Sequence, residues 1–276
     1  MRYYPLISIM PKASTALLLD TYTGASVAYS LRKLRTAYAG SAIRVRRTDL
    51  AEQDIGFVSN QLDTASLLTF CGVGDGFVTT WYDQSGNARN ATNATALNQP
   101  KIVNAGALIE QNSKPSILFD GSTNRLGTAY TLTYPFSMFV TAKRLSTGAQ
   151  GLVATQRVGS ITAGNFVFFT ESSFLKLRHP VVIDATIADT ANLFLGYSGR
   201  VGNIGYVGIN NSALNNSATL TVTQYSQNIS IGGAFTTISP FRLWNGYISE
   251  SVIYASDNSS NRTPIETEIN SFYTIY

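Results

Sequence analysis

Short apolar runs separated by turn residues recur between residues 115 and 255, and this pattern constrains the fold more than any other feature of the sequence. Gly, Ser, Asn and Pro stand between the runs and punctuate them. Short strands at regular spacing with turns between them are typical of a β-sandwich. The nine runs are PSILF (115–119), FSMFVTAKR (136–144), GLVATQ (151–156), NFVFFT (165–170), LFLGYS (193–198), GYVGI (205–209), ATLTVT (218–223), NISIGG (228–233) and NGYISESVIYA (245–255).

The first hundred residues mix predicted helices and strands. Residues 25–38 (ASVAYSLRKLRTAY) carry apolar side chains at i, i+4, i+7 and i+11 from Val27, which predicts a helix. Its solvent face would carry Arg32, Lys33 and Arg35. The same reasoning predicts a strand at 43–46, a helix at 63–70 with Asp63 as N-cap, a strand at 77–83, and a C-terminal helix that contains Pro264, Ile265, Ile269 and Phe272.

The composition is that of one folded domain. The chain has 276 residues, of which 44% are hydrophobic and 13% are charged, so it is neither charge-rich nor disordered. We find no internal repeat and no linker. We therefore expect an extended N-terminal arm over residues 1–20 and a single jelly-roll domain over residues 21–276.

Six basic residues cluster within residues 32–47 and suggest contact with nucleic acid as one reading. Apolar residues alternate with them, and Asp49, Glu52 and Asp54 follow at once, so a solvated protein face is the favoured reading. Nucleic acid is accordingly not expected as a partner.

Targeting signals are weak in this sequence. Pro5, Pro11 and Lys12 interrupt the first apolar run, and no stretch approaches the roughly 20 apolar residues of a membrane helix. We therefore expect synthesis in the cytosol without a signal peptide and no membrane partner. The one cysteine, Cys71, lies among apolar residues and is expected to be a small core residue.

Two parts of the chain resemble known families. The ordered segments in residues 28–92, ending in TTWYDQSGNARNAT, resemble the start of the catalytic domain of fungal α-L-arabinofuranosidase B. ILFDGSTNRL (117–126), ISIGG (229–233) and residues 245–273 resemble laminin-G and concanavalin A-like lectin domains. Both resemblances imply an all-β, concanavalin A-like jelly-roll β-sandwich with a few short helices and an N-terminal arm.

The arabinofuranosidase resemblance implies two carboxyl groups about 5 Å apart, a nucleophile and an acid/base. In that family the pair lies C-terminal to the YDQSG region, near adjacent cysteines, and this sequence has a single cysteine. The loose candidates that remain are Glu171, at the end of a predicted strand, and Asp184 or Asp189. None of them matches a family motif, so a catalytic role is predicted for none, with Glu171 as the alternative.

The polar stretch after the strand at 77–83 is the other candidate site. Asp83, Gln84 and Asn87, with Trp81 before them, are candidate ligand-binding residues if they line a sugar-sized groove. The favoured interpretation is instead a turn whose side chains bond to nearby backbone groups, with Trp81 and Trp244 in the core. His179, the one histidine, precedes Pro180 and is expected to lie in a turn.

No cofactor or metal is predicted. One histidine and one cysteine cannot supply a zinc set. An oxygen-rich sandwich loop could hold calcium, but no DxDxDG run supports such a site.

Three functions stay open at this point, and the favoured one is a non-enzymatic phage virion structural protein. It would be capsid-decorating, head-fibre or tail-associated, bind other virion proteins or itself through the arm, and could attach to a surface glycan. The YDQSG block and the NRTPIET-type tail resemble those of phage structural proteins, and a protein without a signal peptide suits a particle released by lysis. The alternatives are an α-L-arabinofuranosidase-like glycoside hydrolase and a nucleic-acid-binding role for residues 32–47.

Overall fold

The fold was determined as a computed structural model that describes residues 16–155, 167–179, 181–188, 191–217, 228–235 and 240–276. Three α-helices lie in these ranges, α1 (Leu18–Thr21), α2 (Thr64–Cys71) and α3 (Arg262–Tyr273). Two short 3-10 helices span Ala96–Asn98 and Ser259–Asn261.

The remaining regular structure is β. The strands in the described ranges are β1 (Ala25–Ser30), β2 (Ile43–Arg46), β3 (Glu52–Ile55), β4 (Phe57–Val58), β5 (Gln61–Leu62), β6 (Gly76–Trp81), β7 (Ala91–Thr92), β8 (Lys101–Asn104), β9 (Ala107–Leu108), β10 (Glu110–Gln111), β11 (Lys114–Pro115), β12 (Ile117–Asp120), β13 (Leu126–Thr131), β14 (Phe136–Arg144), β15 (Gln150–Thr155), β16 (Val167–Glu171), β17 (Phe174–His179), β18 (Val181–Ala188), β19 (Phe194–Val201), β20 (Ile204–Ile209), β21 (Asn215–Ser217), β22 (Asn228–Ile231), β23 (Gly233–Phe235), β24 (Pro240–Leu243) and β25 (Asn245–Tyr254).

The long strands form two antiparallel layers. In the first layer, β21, β20, β19, β14 and β25 follow one another, and the far edge of β25 pairs with β1 along one half and β12 along the other. The second layer runs β18, β17, β16, β15, β22, β13, β7, β6, β2 and β3. Because β8 pairs with both β6 and β12, hydrogen bonding continues from one layer into the other.

The main core lies between these layers. Side chains that alternate along β14, such as Met138 and Val140, meet Phe168 of β16 and Ile231 of β22 there. A second core lies on the outer face of the first layer, where α1 and α3 cover it. Packing on both faces explains why β14 and β25 are buried along almost their whole length, polar residues such as Glu250 included.

The sandwich predicted from the spacing of apolar runs is confirmed. The predicted strand at 136–144 coincides with β14, and the strand at 43–46 coincides with β2. The predicted helix at 63–70 is α2, and the Asp63 carboxylate caps it by accepting from the Ser66 backbone N–H at 3.0 Å. The predicted strand at 218–223 lies outside the described residues.

The predicted N-terminal arm is described only at its end. Residues 1–15 lie outside the described residues, whereas Leu18 and Leu19 of α1 are buried in the second core. Five residues of the predicted arm, 16–20, are therefore described, and this end of it packs on the first layer. The single-domain boundary at residue 21 stays a prediction.

The helix predicted over residues 25–38 is wrong. Residues 25–30 form β1, which is buried along its whole length and pairs with β25. Val27 and Leu31 enter the main core, whereas Leu34 enters the second core, so the apolar residues at helical spacing serve two different cores. The tertiary position beside β25 overrides the local pattern.

Arg32, predicted on a solvent face, is instead buried and joins three parts of the fold. Its guanidinium donates to both Glu250 carboxylate oxygens at 2.8 and 3.0 Å and to both Glu268 oxygens at 2.7 and 2.8 Å. Ser30 and Tyr273 also donate to Glu250, at 2.7 and 3.3 Å. The loop after β1, the centre of β25 and helix α3 are thereby held in one charged network.

Replacing Arg32 should destabilise the protein strongly. Arg32→Met leaves the buried Glu250 carboxylate without its cation, and we expect the free energy of unfolding to fall by about 3–5 kcal/mol. Urea denaturation measures this loss. The matched control is Arg44→Met, because Arg44 pairs with Glu52 and Asp54 at the surface, where such pairs contribute about 0–1 kcal/mol. Equal losses in the two variants would contradict the structural role of Arg32.

Candidate functional site

The polar stretch after β6 is a loop whose side chains bond to the backbone around them. Asp83 is buried, and its carboxylate accepts from the backbone N–H groups of Ala28, Ser85 and Arg89 at 2.8, 2.9 and 3.0 Å. It also accepts from the Ser85 hydroxyl at 2.8 Å. All these donors belong to β1 or to the loop itself, so the carboxylate fastens the loop to β1.

The neighbours of Asp83 also make their contacts within the protein. Gln84 is fully buried, accepts from the Leu34 N–H at 2.8 Å and donates to the carbonyls of Ser30 and Arg32 at 3.0 Å each. Trp81 has no exposed surface and packs beside Tyr29. The core positions expected for Trp81 and Trp244 are confirmed, and the ligand-binding prediction for Asp83 and Gln84 stays untested.

Asn87 is the exposed member of this set. Its amide donates to the carbonyls of Ala25 and Ser26 at 3.2 and 3.1 Å, which leaves it at the rim of a polar cavity of about 380 Å³. The sequence stretch therefore reaches an open cavity at Ser85, Asn87 and Arg89, not at Asp83.

Glu171 ends β16 at the surface of the second layer. Ser172 and Ser173, both with positive φ (52° and 66°), form the two-residue turn to β17. Ser173 accepts from Arg144 at 3.1 Å, and the Ser172 N–H donates to the Thr147 carbonyl at 3.3 Å. Glu171 is thus held at the tip of an anchored hairpin, with 37% of its side chain exposed.

Two cations flank the Glu171 carboxylate. Lys176 Nζ lies 3.8 Å from one of its oxygens, and Arg242 Nη2 lies 3.8 Å from the other. Both cationic side chains are 12% exposed, and the Arg242 guanidinium stacks 4.4 Å from the ring centroid of Phe169. Arg242 also has a positive φ of 50°, a backbone state that concentrates at functional sites. Sequence reasoning missed both cations, since neither stands near Glu171 in a recognisable motif.

The other carboxylate candidates are placed by the backbone alone. Asp184 of β18 is the Cα partner of Lys176 in the strand register. Asp189 lies outside the described residues. His179 is in β17, not in a turn as predicted, and its side chain lies outside the described set.

Asp120 of the FDG turn faces a second cavity, of about 600 Å³, between Phe77 and Leu97. Burial raises the pKa of Asp120, but the backbone N–H groups of Asn124, Thr123 and Ser122 donate to it and bring the pKa well below its usual range. Asp120 is the one acid among the residues that line this cavity, so the cavity has no carboxyl pair.

The basic residues at 32–47 contact acids and backbone groups of the protein itself. Arg44 pairs with Glu52 and Asp54, and Arg47 pairs with Asp49. Arg46 is buried and donates to Gln99. The expectation that nucleic acid is not a partner stays a prediction.

Cys71 is buried beside Val45, Gly76 and Val103, as expected, and burial raises the pKa of its thiol. No three His, Cys, Asp or Glu side chains within the described ranges are placed to hold a metal ion. No helix among the described residues is long and apolar enough to cross a membrane.

Three solved structures superpose on the chain over 91% of its length, and all three are arabinofuranosidases. They are a GH54 α-L-arabinofuranosidase soaked with a cyclic sulfate inhibitor (14% identity, TM-score 0.71), a GH54 mutant soaked with 4-nitrophenyl α-L-arabinofuranoside (15%, 0.71), and an arabinofuranosidase complexed with arabinofuranosyl-α-1,2-xylobiose (15%, 0.69). The chain spans 64% of the length of each. No protein-family model and no curated protein matches the sequence.

These superpositions establish that the protein has the β-sandwich fold seen in GH54 arabinofuranosidases, as the resemblance in residues 28–92 implied. They also correct the favoured functional prediction. The non-enzymatic phage virion protein is wrong, because the structures that match across nearly the whole chain are arabinofuranosidases and favour the hydrolase alternative.

Substituting Asp83 should lower stability. In Asp83→Asn, an amide N–H₂ replaces one of two oxygens that accept from four donors, and we expect a loss of about 1–3 kcal/mol in unfolding free energy. Thermal or urea denaturation measures it. Asp49→Asn, at an exposed pair with Arg47, should change stability far less. Unchanged stability in Asp83→Asn would remove the fastening role of this side chain.

Proposed function

We propose that the protein is an α-L-arabinofuranosidase-like glycoside hydrolase and that Glu171 is one of its two catalytic carboxylates. The observation that supports this most is the position of Glu171, a half-exposed carboxylate between Lys176 and Arg242 in a fold that superposes on arabinofuranosidases. An anion held by two cations on a rigid hairpin suits a group that must keep a fixed position during attack.

In a retaining mechanism, Glu171 acts as the nucleophile. Its carboxylate attacks the anomeric carbon while an acid protonates the leaving-group oxygen, and a covalent glycosyl-enzyme ester forms. The acid, now a base, takes a proton from water, and the resulting attack on the anomeric carbon releases the sugar and regenerates Glu171.

Asp184 is the proposed acid/base. The register of β17 and β18 pairs it with Lys176, whose ammonium lies 3.8 Å from Glu171, so Glu171 on β16 and Asp184 on β18 lie on either side of β17. A retaining enzyme needs its two carboxyl groups about 5–5.5 Å apart, so the proposal requires both side chains to extend over β17 toward each other.

The substrate class follows from the matched structures. Two of them were studied with 4-nitrophenyl α-L-arabinofuranoside and with arabinofuranosyl-α-1,2-xylobiose. We extend this substrate class to the present protein as part of the proposal, with a terminal α-L-arabinofuranosyl group as the unit that is cleaved.

Turnover of 4-nitrophenyl α-L-arabinofuranoside tests the proposal, with released 4-nitrophenol as the readout. Glu171→Gln removes the nucleophilic charge but keeps the shape, and kcat should fall by about 10³-fold or more. Asp184→Asn should also lower kcat. Glu110→Gln is the matched control, because Glu110 is an exposed carboxylate on the β10–β11 hairpin. Absence of turnover across a panel of aryl glycosides, or full activity in Glu171→Gln, would refute the assignment.

A further inference from the structure

The polar cavity at the rim of the YDQSG loop is separate from Glu171 and shares no residue with its cluster. It has a volume of about 380 Å³ and lies where β1 begins. Its polar lining comes from Thr23, Ser26, Arg35, Ser85, Asn87 and Arg89, and no acidic residue is among the residues that line it.

Two guanidinium groups from different loops reach this cavity. Arg35 follows β1 in the chain and donates to the Ser85 carbonyl at 3.0 Å. Arg89 follows β6 and donates to the Ser26 carbonyl at 3.3 Å, while its guanidinium lies 4.9 Å from the ring centroid of Tyr130. A guanidinium carries five N–H donors, so each bond to a carbonyl leaves most of its donors available to a ligand.

Two acids near these arginines already accept hydrogen bonds from other groups. Asp83 accepts from four donors and is buried. Asp20 accepts from the Thr36 hydroxyl and from the N–H groups of Thr36 and Leu17, and these bonds, with the charge of Arg35, bring its pKa below the usual value despite the opposing effect of burial. Neither carboxylate hydrogen-bonds to Arg35 or to the Arg89 guanidinium in the described structure.

The guanidinium of Arg35 lies against the loop backbone at Gly86. Gly86 has a φ of +97°, and a Cβ atom placed on it would lie 2.5 Å from Arg35 Nη1. The guanidinium therefore lies directly over this glycine, and any larger residue would displace it. Because Arg35 is already held over Gly86 and bonded to the Ser85 carbonyl, it loses less conformational entropy when a ligand binds than a free side chain would.

We infer that this cavity binds the oxyanion of a small polar ligand, a carboxylate, sulfate or phosphate group. Guanidinium donors match the geometry of these groups and bind them bidentately. The Ser85 and Asn87 side chains and the polar walls suit the hydroxyl groups of such a ligand. This inference does not rest on the proposed hydrolase function.

Isothermal titration calorimetry at constant ionic strength tests the inference, with sodium glucuronate, sulfate and phosphate as probes and glucose, the neutral counterpart of glucuronate, as the control. Saturable binding of at least one anion, with none or much weaker binding of glucose, is expected. Sulfate or phosphate binding without glucuronate would assign an inorganic oxyanion site, and the reverse would assign an organic acid site. Absence of saturable anion binding, or preference for glucose, overturns the inference.

Variants locate the site. Arg35→Gln and Arg89→Gln should each weaken anion binding at least tenfold, and Gly86→Ala should weaken it by displacing Arg35. Arg47→Gln, at an exposed arginine paired with Asp49, should leave it unchanged. In the unmodified protein, the NMR resonances of the Arg35 and Arg89 side-chain N–H groups should shift on saturation, which tests the site even if a variant misfolds. Unshifted resonances, or unchanged binding in folded Arg35→Gln and Arg89→Gln, would refute it.

Discussion

The buried guanidinium of Arg32, between the carboxylates of Glu250 and Glu268, is the interaction on which the rest of the sandwich depends. Removing these charges from water costs several kcal/mol, and the cost is offset only because two bidentate contacts satisfy the guanidinium. The network therefore requires one relative placement of the loop after β1, strand β25 and helix α3. Strand β25 is the centre of the first layer and helix α3 covers its outer face, so this network fixes both relative to β1.

The YDQSG loop also contains buried polar side chains whose hydrogen-bond partners lie within the protein. Asp83 and Gln84 are candidate ligand-binding residues in the sequence, yet their side-chain oxygen and nitrogen atoms bond to backbone groups of β1 and of the loop that follows it. A buried polar group must find partners within the protein. What the loop offers to a ligand comes from its more exposed members, Asn87 and Arg89, and from Arg35, which lies over Gly86.

Much of the fold was predictable because β14, β2 and α2 carry local signals that agree with their surroundings. Their apolar runs, turn residues and the Asp63 cap each favour the structure that forms. The prediction of a helix over residues 25–38 failed because its apolar residues, although they stand at helical spacing, belong to two different cores. Glu171 could be found as a carboxylate at a strand end, but its contact with Arg242 joins two residues 71 positions apart, which no local pattern encodes.

Strand β25 is an interior strand of the first layer, although it is the last strand in the sequence. It pairs with β14 on one edge and with both β1 and β12 on the other. Ser30 and its partner Glu250 are 220 positions apart, so at 5–20 residues per second a ribosome takes on the order of 10 to 40 seconds between them. Once β14 has been made, the layer has a gap one strand wide, with unpaired edges on both sides, until β25 follows. A β25 segment from another copy can pair with these edges before the chain's own β25 is made, which makes the nascent chain most open to strand exchange just before β25 emerges.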